Sequence, residues 1–308
     1  MGRVSRFVRV WLVGRVLKRN PLAAVLLALV DLLRRARRGA RGIPFSPVRA
    51  GGYVGSDFLR RAGYVDPDAP TPAGELDDLG AFARPSFDPD AVAPAVRAFY
   101  ERTGDYRMTY RVRWGRGFRL GARLVGPVTS RIRQLNLPGG GSGWRPLRGR
   151  FVAVDVPGDP REEVRGWVRE NVAGEAVFVA LYGAHEADGE RFVNVAVPLP
   201  GGNLSTVLRP RNVDGAGDDG AESSDREDAV EWTTEGGGDP GLFLVTPVGA
   251  FRLPVGQRFV VRRADSDATG GNEGLAADAP LSATHEMWVL GATFLRIDYR
   301  IERREDRR

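Results

Sequence analysis

Apolar and polar residues alternate without a slip over residues 105–114. Tyr106, Met108, Tyr110, Val112 and Trp114 hold one parity, and Arg107, Thr109, Arg111 and Arg113 the other. Period two marks a strand with one buried face, so the spacing predicts apolar residues inward and arginines outward. Beyond Arg150 the same signal recurs at 150–156, 176–185, 191–199, 203–211, 242–246, 250–253, 258–263, 282–290 and 293–302. Turn residues at 187–190 and Gly291 join two of these pairs as hairpins. Asp159-Pro160 reads as a helix start, with a helix expected from there to about Asn171.

Period 3.6 governs the beginning of the chain. Over residues 3–19 the stripe Val4, Phe7, Val8, Trp11 is weak, because arginines intrude on both sides. Asn20-Pro21 then predicts a cap and a helix to about Arg38, stopped by Gly39. Leu22, Val25, Leu26, Leu29, Leu32 and Leu33 share one face of it; Asp31, Arg34, Arg35 and Arg38 share the other. The apolar run is too short for a bilayer span of roughly twenty residues, and no small-residue cleavage site follows it. An interfacial helix fits the pattern; a helix pair packed on the protein's own core is the alternative. Further on, Asp90 predicts a helix over 91–102 burying Val92, Val96 and Phe99. Another is expected over 118–135, with Leu120, Leu124, Val128 and Ile132 spaced for one stripe and a kink at Gly126-Pro127.

Three regions carry neither period. Residues 42–90 are rich in Gly, Pro and Asp and read as a connector, with one short helix near 56–62, that wraps the domain as a strap. Residues 139–143 are a glycine-rich break. Residues 214–239 hold ten acids and one arginine, Arg226, and read as a mobile acidic insertion. The predicted organisation is basic apolar helices over 1–41, the connector over 42–90, and a β-rich domain over 91–308. The fold class is α+β: N-terminal helices followed by a curved antiparallel β-sheet or half-open β-barrel.

Charge sharpens this picture. The net +6 of the chain resolves into +10 over residues 1–41 (eleven bases, one acid) and −4 over 42–96 (four, eight). It continues with +11 over 97–150 (thirteen, two) and −11 over 151–308 (seventeen, twenty-eight). Two basic blocks on an acidic body point to an anionic partner. All basic residues but Lys18 are arginines, a bias that a GC-rich genome produces by itself. The candidate anion- and membrane-binding residues are Arg34, Arg35, Arg38, Arg107, Arg111 and Arg113. The candidate membrane-apolar residues are Trp11, Leu22, Val25, Leu26, Leu29, Leu32 and Leu33. The arginine face of the 105–114 strand has a plainer reading too, as a solvated face paired with the acidic C-terminal half.

Catalytic signals are weak. Cysteine is absent, which excludes disulfides, thiolate metal sites and a cysteine nucleophile. No Gly-x-Ser-x-Gly motif occurs, and the glycines at 139–143 lack a phosphate-loop lysine. His185-Glu186 and His285-Glu286 could converge if their strands were neighbours. Adjacent strand residues face opposite ways, however, and rim or surface histidines are the plainer reading. No metal and no cofactor is expected.

Short segments carry one resemblance: Phe99-Tyr100-Glu101-x-Thr103, Gln134-Leu135-Asn136-Leu137-Pro138, Thr284-His285-Glu286-Met287 and the run from Phe294 to Ile301. Over about residues 90–302 the chain resembles the soluble part of YndJ-like membrane-associated bacterial proteins. The resemblance implies membrane association and no chemistry. The leading expectation is a peripheral protein at the cytoplasmic face of the cell membrane, with the cytoplasm second. It would bind a lipid-like or apolar ligand or a membrane-protein partner. The rivals are a nucleic-acid binder using both arginine blocks and an enzyme using His185 and His285.

Overall fold

The structure is a computed structural model that describes residues 21–139, 143–213, 229–264 and 280–304, with the side chains of 21–28, 123 and 125 left out. Twelve strands form one antiparallel sheet: β1 (Tyr106–Trp114), β2 (Arg145–Ala153), β3 (Glu162–Glu170), β4 (Ala176–Ala187), β5 (Glu190–Leu199) and β6 (Gly202–Asn212) come first. They are followed by β7 (Val230–Thr233), β8 (Gly241–Thr246), β9 (Gly249–Arg252), β10 (Val255–Arg263), β11 (Leu281–Val289) and β12 (Ala292–Arg303). The ring runs β1–β2–β3–β4–β5–β6–β7–β10–β11–β12 and returns to β1, because β5 pairs with both β4 and β6. The expected half-open sheet is thus a closed ten-stranded up-and-down barrel, and the fold is mostly β with few helices. The β8–β9 hairpin is an excursion that pairs with Asn203–Val207 of β6, the stretch beyond the reach of β7.

Parity in the ladders fixes what faces in. Tyr110 opposes Tyr299, and Val112 opposes Ile297; His285 opposes Ile297 and Phe259; Trp232 opposes Phe259. All point into the barrel with Met108 and Ile301, while Arg107, Arg111 and Arg113 point out. The expected facing of β1 therefore holds.

One end of the barrel is plugged. The segment before β1 folds into three 3-10 turns and the helix α3 (Pro94–Glu101). Leu79, Phe82, Phe87, Val96, Phe99 and Tyr100 are buried there among the inward residues of the staves. The helix predicted over 91–102 starts three residues late, with Pro94 in its first turn. On the outside, residues 43–65, with the short helix α2 (Phe58–Arg61), form the expected strap. Val48, Val54, Phe58 and Leu59 pack on Val168, Val179, Leu181 and Ala196 of β3–β5. Leu59 fits flush because residue 166 is glycine; a Cβ there would meet its Cδ1 at 2.3 Å. A polar lock holds the strap. Ser46 donates to Asp159 (2.6 Å), Asp159 pairs with the buried Arg161 (2.8 Å), and Asn203 donates to the Ser46 and Val48 carbonyls.

Two expectations fail here. Residues 159–171 hold β3, not a helix. Arg165, Trp167 and Arg169 face inward and Val164, Gly166 and Val168 face the strap, so both sides are covered and no polar face shows. The acidic insertion is shorter than 214–239, since Val230–Thr233 is the stave β7 with Trp232 only 3% exposed; residues 214–228 lie outside the described part. Removing only 214–228 is expected to leave the melting temperature within a few degrees, because loop closure depends weakly on length. Removing 214–239 takes out a stave and should abolish cooperative unfolding; equal melting curves for the two deletions would contradict the assignment of β7.

Tyr110→Ala should cost roughly 3–5 kcal/mol, as large aromatic truncations do. Arg107→Ala, which loses one exposed pair with Glu302 (3.4 Å), should cost less than about 1 kcal/mol. Denaturant unfolding of the two variants checks the facing of β1.

Candidate functional site

Strands alternate in direction around the ring, so every second connection lies at the same end. The β1–β2, β3–β4, β5–β6, β7–β10 and β11–β12 connections share the end opposite the plug. There the β1–β2 connection forms α4 (Phe118–Ile132), which runs through Pro127. Its start is tied to β12 by the Gly115 amide donating to the Phe294 carbonyl (2.9 Å), with Phe118 against Phe294. Past its end, the fully buried Gln134 wedges between β4 and β5. Its amide donates to the Val179 and Pro198 carbonyls (2.8 and 3.1 Å) and its oxygen accepts from the Val179 amide (2.9 Å). Those walls lie opposite one another, and fifteen helical residues span about 22 Å. The helix α4 therefore lies across the mouth as a lid.

Beneath it the inward side chains form an apolar cup, in which the space beside Trp167 and Arg169 is about 10 Å³. Phe178, Tyr182, Leu204, Leu208, Phe259 and Met287 point inward yet stay partly accessible. A groove of about 410 Å³ opens beside the lid, lined by Tyr110, Leu137, Trp144, Arg145 and Val177 among others. It exists because β1 pairs with β2 only over Met108–Tyr110.

Polar groups gather inside this apolar cup. Arg169 stacks on Trp167, its guanidinium 3.5 Å from the ring centre. Glu75 enters from the plug; burial pushes its carboxyl up to about 7, which the Arg169 charge only partly opposes. Burial pushes His285 down to about 4, and the Arg169 charge acts in the same sense. The His285 Nε2 lies 3.1 Å from the Gln257 oxygen. Burial also raises the Tyr182 and Tyr299 phenols. Two enclosed polar atoms, Glu75 Oε1 and Arg169 Nε, have no hydrogen-bond partner. Such groups call for a ligand or water.

Sequence reasoning had singled out other residues. The two histidines do not converge: β4 and β11 are five staves apart, and His185 faces outward under the strap. There its Nε2 meets Asp239 (3.1 Å) and its ring stacks on Phe192, and burial lowers its pKa against the pull of Asp239. Arg111 and Arg113 both reach Asp298 (3.2 and 2.5 Å), Arg107 reaches Glu302, and the chain of charge continues through Arg296 and Glu286 to Arg258. The predicted first long helix is α1 (Pro21–Arg38), which packs its end on β9; Arg37 donates to the Val248 carbonyl (3.1 Å). Leu29, Leu32 and Leu33 are exposed on it, as are Arg34, Arg35 and Arg38. Trp11 and the side chains of Leu22, Val25 and Leu26 lie outside the described residues. Among those described, no helix is long and apolar enough to cross a membrane, and no cluster of three or more His, Asp or Glu could hold a metal.

Sequence reasoning missed Leu120, Leu124 and Val128 as a surface feature. They were expected as one stripe of a helix, but they are 69%, 78% and 58% exposed. The less exposed side of α4 carries Phe118, Ala122, Gly126, Thr129 and Ile132 instead.

The geometry defines a class: a closed antiparallel barrel, plugged at one end and roofed at the other by an amphipathic helix. Comparison with known proteins adds a relative. The chain is 28% identical over 261 residues to the uncharacterised membrane protein YndJ of Bacillus subtilis (strain 168), a match covering 83% of this chain and 43% of that protein. The chain is thus YndJ-like, as its short segments suggested, and spans less than half the length of that relative. No family model matches it, and no solved structure does.

The lumen makes a pH prediction. Glu75 ionises at 4.5 ordinarily and at about 7 here, so its ionisation opposes folding. The penalty is absent below about pH 4.5, grows with pH and is complete above about 7. The His285 penalty runs the other way, absent above about 6.5 and growing as pH falls toward 4. Glu75→Gln should therefore raise the melting temperature relative to wild type near pH 7.5 and lose that advantage near pH 4.5. Parallel curves for the two proteins between those values would show that Glu75 is not enclosed.

Proposed function

We propose that the protein is a peripheral membrane protein that lays the lid end of its barrel on an anionic bilayer and takes a lipid-like ligand into the cup beneath. The carrying observation is that α1 and α4, the two helices with exposed apolar stripes edged by arginines, attach at the same end, where the cup opens. On α4 the stripe Leu120, Leu124, Val128 is flanked by the exposed Arg116, Arg119, Arg131 and Arg133. On α1 Leu29, Leu32 and Leu33 adjoin Arg34, Arg35 and Arg38. Contiguous exposed apolar residues of this kind mark an interaction surface, and arginines beside them suit lipid phosphates.

The opposite end has the opposite sign. The connections 214–228 (seven acids, one base) and 265–279 (four acids, no base) join strand ends there. A barrel basic at one end and acidic at the other is oriented by a negative surface with its lid toward the lipid. A membrane protein as relative supports the same reading.

The test is vesicle co-sedimentation with bilayers containing phosphatidylserine. A Leu120→Ser, Leu124→Ser, Val128→Ser variant should bind about tenfold more weakly or worse. Tenfold is roughly 1.4 kcal/mol, and three aliphatic side chains transferred to lipid supply at least that. Its melting temperature should stay near wild type, because the three side chains touch little of the protein. Binding by the wild type should fall as salt rises. Unchanged sedimentation of the triple variant would refute the docking face.

A further inference from the structure

The ring is complete, but one seam in it is short. β1 pairs with β12 along its whole length, Tyr106–Trp114, and with β2 only over Met108–Tyr110. Thr109 stands opposite Pro146 in that seam, and proline has no N–H to exchange. The bonded pairs of this antiparallel ladder are therefore Met108–Leu147 and Tyr110–Arg145. Even-numbered residues of β1 thus aim their N–H and C=O groups at β2, and odd-numbered residues aim theirs at β12. Two bonds beyond the strand ends keep this parity: the Gly115 amide donates to the Phe294 carbonyl, and the Arg304 amide to the Asp105 carbonyl.

Past Tyr110 the same parity aims the main-chain groups of Val112 and Trp114 into the gap. None of these groups has a hydrogen-bond partner among the described residues. Val112 is only 6% exposed, so water meets little of it, and enclosed main-chain groups left unpaired are costly. Groups that recur at every second residue, about 7 Å apart, are what another strand pairs with. Room for one lies alongside, in the groove of about 410 Å³ walled by Tyr110, Leu137, Trp144 and Val177.

The side chains of β1 set which strand fits. Its inward side is apolar, with Tyr110, Val112 and Trp114, and its outward side carries Arg111 and Arg113. Both guanidiniums lean on one carboxylate, Asp298, which Arg296 also holds. Three cations on one anion leave the outer side of the seam positive. Arg145, on the groove wall, makes no ion pair within 4.0 Å among the described residues. The carboxylate on that wall, Glu175, accepts from the Asn171 amide (2.9 Å). Opposite charges across a ladder, and apolar neighbours on its other face, stabilise a pairing. A strand beside β1 therefore fits when it alternates apolar inward and acidic outward, as Ile297 and Asp298 do on β12. The chain's own acidic connections, 214–228 and 265–279, join strand ends at the opposite end of the barrel.

We propose that the β1–β2 seam takes in an extended segment of a partner protein, which adds as a short strand along Val112–Trp114 and turns acidic residues toward Arg111 and Arg113. The proposal stands apart from the lipid reading of the lid.

The test is residue-resolved amide hydrogen exchange on the full chain. Arg111 and Arg113, bonded to β12, should exchange slowly, and Val112 and Trp114 at least about tenfold faster. The probe is a capped hexapeptide alternating valine and glutamate. It should slow exchange at Val112 and Trp114 and leave Arg111 and Arg113 unchanged. Its N-methylated twin, which cannot donate main-chain hydrogen bonds, should not. A twin with lysine for glutamate should bind about tenfold more weakly, and the double variant Arg111→Gln, Arg113→Gln should remove that difference. Equal protection of all four amides in the free chain would mean a closed seam and overturn the proposal. Protection that grows as the free chain is concentrated would give the seam to a second copy instead. No slowing by the valine–glutamate probe, or equal slowing by its N-methylated twin, would overturn strand addition. Equal binding of the lysine twin would overturn the acidic partner.

Discussion

Closure of the sheet is the constraint on which the rest of this structure depends. With β5 hydrogen-bonded to β4 on one side and β6 on the other, the ring has no free edge to recruit a foreign strand outside the short β1–β2 seam. Parity then sends every second residue into an enclosed space. Ten staves surround more volume than their own side chains fill. The chain answers with the plug, where Phe82, Phe99 and Tyr100 pack against Trp232 and Tyr106. It supplies no second plug at the other end, only a helix across the mouth. The partly accessible aromatic wall beneath that helix and the enclosed Nε of Arg169 follow from that asymmetry.

The sequence was legible where a stave has one wet face. The β1 alternation is clean because its outer arginines meet solvent and the acids of β12, so its facing could be assigned residue by residue. The hairpins β4–β5 and β11–β12 were legible through their turns. The β3 stave was not, because the strap covers its outside and the cup its inside, and Asp159-Pro160 imitates a helix start. Its arginines point inward, which inverts the usual code. The short stave β7 hides among the acids that precede it. Closure itself rests on the long-range pairing of Tyr106–Trp114 with Leu295–Arg303, which no local turn signal announces.

The polar group in the cup was missed for the same reason. Glu75 lies in a stretch read as connector, Arg169 in a stretch read as helix, and His285 was noticed only as a possible companion of His185. One signal was available: on β11, His285 shares parity with Ala283 and Met287, which places it on the apolar face. Reading 165, 167 and 169 at period two would have put two arginines and a tryptophan on one side of a strand. Only the register shows that this side is the inside.

The charge blocks gain a meaning that composition alone withheld. Because the staves alternate, connections sort by end, and the basic α4 and the α1 docked on β9 fall at one end while the acidic connections fall at the other. The arginines of β1 belong to neither end; Asp298 and Glu302 engage them on the barrel's side. The lid is where the two halves of the reading meet. Its inner side offers the barrel Phe118, Ile132 and several small residues, while its outer side offers a bilayer three large aliphatic residues. A surface that binds the outer side need not compete with strong inner contacts, so docking can shift the lid at little expense. In the proposed orientation the helix that would admit a lipid-like ligand is the same one that meets the lipid, and capture is confined to the place where the ligand is abundant.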